Sequence, residues 1–126
     1  MTDTKVFPYG ACTLVGNLVF ALGTWKYGGW GSGTTPAAKS ATACEDEEAE
    51  TATTKVTGTL TQNTVDATHD QIQVVATITA LAGKTISNFG VFNATTAGVM
   101  VFYATFSGVV LSANDGIQFT ALTQFT

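Results

Sequence analysis

Between Gln71 and Ala80 the chain alternates strictly: Ile72, Val74, Ala76, Ile78 and Ala80 share one face, and Gln71, Gln73, Val75, Thr77 and Thr79 share the other. A period of two places successive side chains on opposite sides of an extended backbone, so this run predicts a strand with one face in a core. Such a strand needs neighbours for its backbone groups and a second apolar layer over its inward face. The same signature recurs on both sides of it. Upstream, Val56, Gly58 and Leu60 alternate with Thr57, Thr59 and Thr61. Downstream, Ile86 to Phe92 and Val99 to Phe106 flank the short connection Asn93 to Gly98 and predict an antiparallel hairpin. Ser107 and Gly108 are expected to break the second of these strands before Val109 to Leu111. Ser112-Ala113-Asn114-Asp115-Gly116 is a turn, and Ile117, Phe119, Ala121, Thr123 and Phe125 define a last strand.

Seven or so strands in 126 residues cannot lie in one free sheet with its apolar face in water, and no βαβ unit is present. The expected fold is all-β, an antiparallel β-sandwich or jelly-roll-like domain, with a less regular N-terminal third. The length suits one core, so residues 1–126 are expected to form a single domain. Within it, residues 1–54 supply an N-terminal arm, an aromatic-glycine segment and an acidic stretch. Leu14 to Leu22 is apolar enough for a buried strand, while its mixed periodicity also permits a helical turn. In Trp25 to Pro36 large aromatics alternate with glycine; Trp25, Tyr27 and Trp30 can anchor a short strand, and Gly31 to Pro36 must be loop. Glu45, Asp46, Glu47, Glu48 and Glu50 follow in an Ala-rich context. The capping-box spacing of Thr42 and Glu45 allows a short helix, and the lack of a repeated apolar face allows an acidic loop equally well.

Composition narrows the function classes. Thr occupies 24 positions and only 14 residues are Asp, Glu or Lys, with no Arg. The net charge of −4 and the scattered lysines leave no basic patch for phosphates, so direct nucleic-acid binding is not expected. The apolar run Ala11 to Gly23 is interrupted by Asn17 and glycine and falls short of a bilayer span. Met1 to Tyr9 lacks the apolar centre of a secretory leader, and the chain is read as made in the cytoplasm with reduced thiols; a Cys12–Cys44 disulfide is the alternative. A Thr-, Ala-, Ser- and Asn-rich surface is cheap to desolvate against a neighbour, which favours a covered exterior.

No group of residues reads as catalytic, cofactor-binding or metal-binding. His69, the only histidine, stands near Asp66 and Asp70 in what is expected to be a solvated turn, and neither cysteine lies in a nucleophile motif. The acidic run has no turn glycine for a calcium loop, and Gly28 to Gly33 does not match a phosphate-binding loop. Trp25, Tyr27, Trp30, Phe92, Met100 and Phe102 are the candidate interface residues; for Trp25, Tyr27 and Trp30, packing in the core or against a neighbour is preferred to lining a glycan or partner groove.

The stretch Ile86-Ser87-Asn88-Phe89-Gly90-Val91-Phe92-Asn93, with Gly98-Val99-Met100 after it and Asn114-Asp115-Gly116-Ile117-Gln118-Phe119 further on, resembles a family of small structural proteins of tailed-bacteriophage virions. Trp25-Lys26-Tyr27-Gly28-Gly29-Trp30-Gly31-Ser32-Gly33-Thr34 is similar to an aromatic-glycine segment of the same family. The resemblance spans roughly two thirds of the chain and implies a β-sandwich without catalytic residues. It further implies a capsid decoration (cement) protein on the virion surface, a homo-oligomer such as a trimer, bound to the major capsid protein. A tail, baseplate or fibre-associated domain, structural or host-recognising, is the alternative.

Overall fold

The computed structural model describes residues 8–50 and 55–126; the beginning of the expected N-terminal arm, 1–7, and residues 51–54 lie outside them. The elements run in the order α1 (Tyr9–Leu22), β1 (Tyr27–Gly31), β2 (Glu47–Glu48), β3 (Val56–Thr57), β4 (Thr59–Asn63), β5 (Gln71–Thr79), β6 (Lys84–Phe92), β7 (Met100–Leu111) and β8 (Gly116–Gln124). Two antiparallel sheets result, and the all-β sandwich expected from the alternation is the fold. One sheet has the order β2-β1-β6-β7, with β3 pairing the same edge of β1 as β2 at its other end; the second has the order β4-β5-β8.

The inward face predicted for β5 is the one observed: Ile72, Val74, Ala76 and Ile78 are buried, and Ala80 follows them into the core. β8 lies against β5 over its whole length, with Ile117 opposite Ile78, Phe119 opposite Ala76 and Ala121 opposite Val74. From the facing sheet Trp30, Ile86, Phe89, Val91 and Leu111 complete the core. Phe89 and Phe119 stack between the layers, with centroids 4.1 Å apart and planes 5° from parallel, and Trp30 meets Phe119 edge-on.

The strand read from Val56 to Thr61 is in fact two strands in different sheets. β3 pairs with β1, β4 pairs with β5, and Gly58 is the corner between them. Its amide donates to the Lys26 carbonyl at 2.7 Å, and a Cβ there would stand 2.7 Å from the Val75 oxygen and 2.8 Å from that of Lys26. Only glycine lets the chain pass between layers so close to two other backbones. The β6–β7 hairpin forms as predicted, but Ser107 and Gly108 do not end β7. Ile86 pairs with Val109 and Asn88 with Thr105, so Phe106, Ser107 and Gly108 bulge opposite Ser87 alone.

Leu14 to Leu22 is not a strand. It belongs to α1, whose buried residues are Cys12 and Gly16, with Val19 packed on the core. That spacing of four and three places the three on one helical stripe. The helix ends at Gly23, which adopts the left-handed conformation (φ 65°), and the Gly23 amide donates to the Phe20 carbonyl. Gly16 lies so close to the turn before β5 that a Cβ would sit 2.0 Å from the His69 carbonyl oxygen. Gly16→Ala is therefore expected to destabilise by about 1–3 kcal/mol despite the better helix propensity of alanine, read as a lower Tm. A rise in Tm would show that α1 can shift off the turn at no cost.

Among the described residues no helix is long and apolar enough to cross a membrane. Cys12 and Cys44 are both buried and no disulfide joins them. Burial and the neighbouring Glu47 carboxylate push the Cys44 thiol up to about 12, which leaves it protonated and inert at neutral pH.

Candidate interaction surface

Three features bear on what the exterior can do: the acidic stretch, the turn carrying His69, and the open edge of the sandwich.

The acidic stretch forms no helix. Residues 32–50 run as a loop across the outer face of β1 and β6, with β2 as its only paired segment. Ser87 Oγ donates to the Gly33 carbonyl at 2.5 Å, and Asn88 Nδ2 donates to the carbonyls of Gly33 (3.1 Å) and Glu45 (3.0 Å). Four of the five carboxylates hold the loop from within. Glu45 accepts from the amide and hydroxyl of Thr35, both at 2.7 Å. Glu47 pairs with Lys55 at 3.1 Å and Glu48 with Lys84 at 3.4 Å. Glu50, 5% exposed, pairs with Lys84 and accepts from Trp30 Nε1 (3.0 Å) and the Leu81 amide (2.8 Å). Burial opposes ionisation of Glu50, but Lys84, the Leu81 amide and the indole together outweigh it and hold the carboxyl below its ordinary range. Lys84 is likewise disfavoured by burial and raised on balance by Glu50 and Glu48.

This loop also corrects the reading of the candidate interface residues. Trp30 is 0% and Phe92 1% exposed. Trp30 points into the core between the sheets. Phe92 lies under the Lys55 ammonium, 4.1 Å above its ring. Neither offers surface to another molecule, and with Trp30 turned inward the tryptophans and Tyr27 do not make one stacking platform. Trp25 and Tyr27 are half-buried at the start of β1. The glycines of β1 serve close packing: a Cβ at Gly28 would meet the Phe89 ring at 2.9 Å and one at Gly31 the Glu45 carbonyl at 2.3 Å.

His69 sits in the turn before β5 with a positive φ of 58°, exposed. The adjacent Asp70 carboxylate is occupied. It accepts the amides of Val65 (2.9 Å), Asp66 (3.1 Å) and Ala67 (3.1 Å), and Gln124 Nε2 donates to it at 3.2 Å. Among the described residues no three of His, Cys, Asp and Glu converge on a point where a metal ion would fit. Burial works against the charge of Asp70, yet these donors more than compensate and hold its pKa at about 2. Because that lies below the unfolded value of about 3.9, the stabilisation is complete above pH 4 and is lost as pH falls toward 2. Asp70→Asn is expected to lower stability at neutral pH and to flatten its decline between pH 4 and pH 2, measured by urea unfolding across that range. An unchanged slope would remove Asp70 from the account of the turn.

The open edge is where apolar side chains meet solvent. β7 and β8 are the last strands of their sheets. Between them runs a groove of about 270 Å³ lined by Phe89, Phe102, Phe106, Val109, Ile117 and Phe119, with Ala104 and Thr120 at its margins. Phe102, a candidate interface residue, opens here. On the other face of β7 a second cleft of about 360 Å³ lies between Met100, Val101 and Tyr103 and the loop residues Ala37 to Ala41, which places Met100 at an accessible surface. β7 has twelve residues, none charged and none proline. An edge strand without such guards is a template for pairing with another chain, interrupted here by the bulge at Phe106–Gly108 and by a second irregularity at Val101.

The sequence did not single out Val109, Phe106, Ile117 or Phe119 for contact. The signal was present in the absence of charge from Val99 to Leu111, which a protected edge would not show.

No family model matches the chain, and no curated protein is significantly similar to it.

Proposed function

We propose that the chain is a structural virion protein of a tailed phage, a capsid decoration (cement) protein that attaches to the outside of the assembled head and stabilises it through contacts with the major capsid protein. The observation that carries this reading is the uncharged twelve-residue edge strand β7, with the aromatic groove of Phe89, Phe102, Phe106 and Phe119 on one side and a mixed cleft at Met100, Tyr103 and Lys39 on the other. An extended segment of a partner adds to such an edge by backbone hydrogen bonds while alternate side chains fill the grooves. The remaining exterior, rich in Thr, Ala and Asn, gives up its water at little cost when neighbours close over it. A partner that binds only the assembled shell stabilises that shell by mass action. The resemblance of the Gly90–Asn93 and Asp115–Phe119 segments to phage structural proteins supplies the setting, and the binding surface is assigned to β7 and β8 rather than to Trp30 and Phe92.

Two measurements test it. Densitometry of purified particles of the phage that encodes the chain is expected to give hundreds of copies per particle. A few copies, the number suited to a tail or baseplate, would transfer the protein to that location. Val109→Lys, on a side chain 40% exposed at the rim of the groove, is expected to weaken attachment to heads more than tenfold with an unchanged Tm. Full attachment by this variant would remove the groove from the interface.

A further inference from the structure

We infer that copies of this chain associate through α1, packing its outer face against the same face of neighbouring copies. The helix has fourteen residues, Tyr9-Gly10-Ala11-Cys12-Thr13-Leu14-Val15-Gly16-Asn17-Leu18-Val19-Phe20-Ala21-Leu22, and no charged side chain on any face. A helix on the surface of a soluble domain ordinarily turns an apolar stripe inward and a polar one outward. Here the inward stripe is Cys12, Gly16 and Val19, and the outward side is apolar as well. Leu14 is 59%, Leu18 59% and Leu22 68% exposed, with Tyr9 at 65% and Phe20 at 41% toward the flank. The exposed amide, Asn17, is turned to its own domain, where its Oδ1 accepts from Gln62 Nε2 at 3.0 Å.

The spacing on this outer side is that of a seam. Leu14, Leu18 and Ala21 follow at intervals of four and three, the repeat by which two or more helices interlock. Leu22 widens the stripe, and the small residues Gly10 and Ala21 leave room for the leucines of a facing helix.

The chemistry selects a second copy over other occupants. A charged partner finds no complement on α1. A bilayer is poorly matched: fourteen residues rise about 21 Å against a hydrocarbon core of about 30 Å, and an interfacial helix carries lysine or arginine on its polar face, which α1 lacks. A closed ring gives each helix two neighbours and so covers more of this face than an isolated pair would. The inference does not depend on the virion reading, because the seam belongs to the isolated chain.

The test is light scattering coupled to size exclusion on the full chain at micromolar to submillimolar concentration. The unaltered protein is expected at a multiple of 13.0 kDa. The triple variant Leu14→Gln, Leu18→Gln, Leu22→Gln is expected at the monomer mass, with self-association weakened at least about 100-fold and an unchanged far-ultraviolet circular dichroism spectrum. As a second reading, Leu18→Cys is expected to cross-link between copies under mild oxidation, while Thr77→Cys, exposed on β5 away from α1, is not. A monomer at every concentration would overturn the proposal. So would a triple variant that keeps the parent mass, equal cross-linking from both cysteines, or a monomer whose leucines act only in binding lipid vesicles or a different protein.

Discussion

Trp30→Ala is expected to remove about 3–5 kcal/mol of stability, a large share of the 5–15 kcal/mol typical of a folded domain. Trp30 is fully buried in β1 beside Phe89 of the same sheet, meets Phe119 across the sandwich, and its indole nitrogen donates to Glu50. Truncation leaves a cavity that the strand cannot close, since Gly28, its neighbour on the inward face of β1, offers no side chain to fill it. It also takes one donor from a buried carboxylate. The two contributions separate with Trp30→Phe, which keeps most of the volume and loses only the hydrogen bond, for about 1–3 kcal/mol. Urea unfolding measures both. A loss under 1 kcal/mol for Trp30→Ala would mean that Trp30 is not the centre of the core.

Lys84→Met is expected to be nearly as damaging, about 3–5 kcal/mol, because it leaves the Glu50 charge in the protein without its cation. Lys84 opens β6 and Glu50 ends the loop over the outer face, so the pair joins two segments 34 residues apart. The sign of the pH dependence distinguishes this cause from lost packing. In the parent protein Glu50 titrates below its unfolded value, so its contribution is full above that value and declines in acid. In Lys84→Met the carboxyl loses the partner that kept it low and becomes easier to protonate, so the deficit relative to the parent is expected to shrink as pH is lowered. Glu50→Gln with Lys84→Met removes the stranded charge and is expected to recover part of the loss, with a coupling of about 0.5–3 kcal/mol. A deficit that stays constant with pH would assign the effect to the lysine stem alone.

The strands were legible where a single local rule decides them. The alternation from Ile72 to Ile78 gave the inward face of β5, and the Asn93–Gly98 connection gave the β6–β7 hairpin. What escaped local reading depended on distant partners. The interval of four and three at Cys12, Gly16 and Val19 marks a helix, but the apolar residues between them hide it, and only the turn at His69 against Gly16 shows which face is inward. The acidic run has no local pattern because its carboxylates answer to Thr35, Lys55 and Lys84. Trp30 and Phe92 read as interface residues because aromatics beside glycine suit either role. A lysine above Phe92 and a second sheet beneath Trp30 decided against contact with another molecule. Gly58 looked like one more inward residue of a strand, yet it is where the chain changes sheets.

Electron cryo-microscopy of the phage head is the most direct measurement of the proposed role. The account predicts two-layered β density repeated over the outer surface, with the β7–β8 edge against the major capsid protein. Heads whose surface lacks that density, or density of this shape confined to the tail, would contradict it.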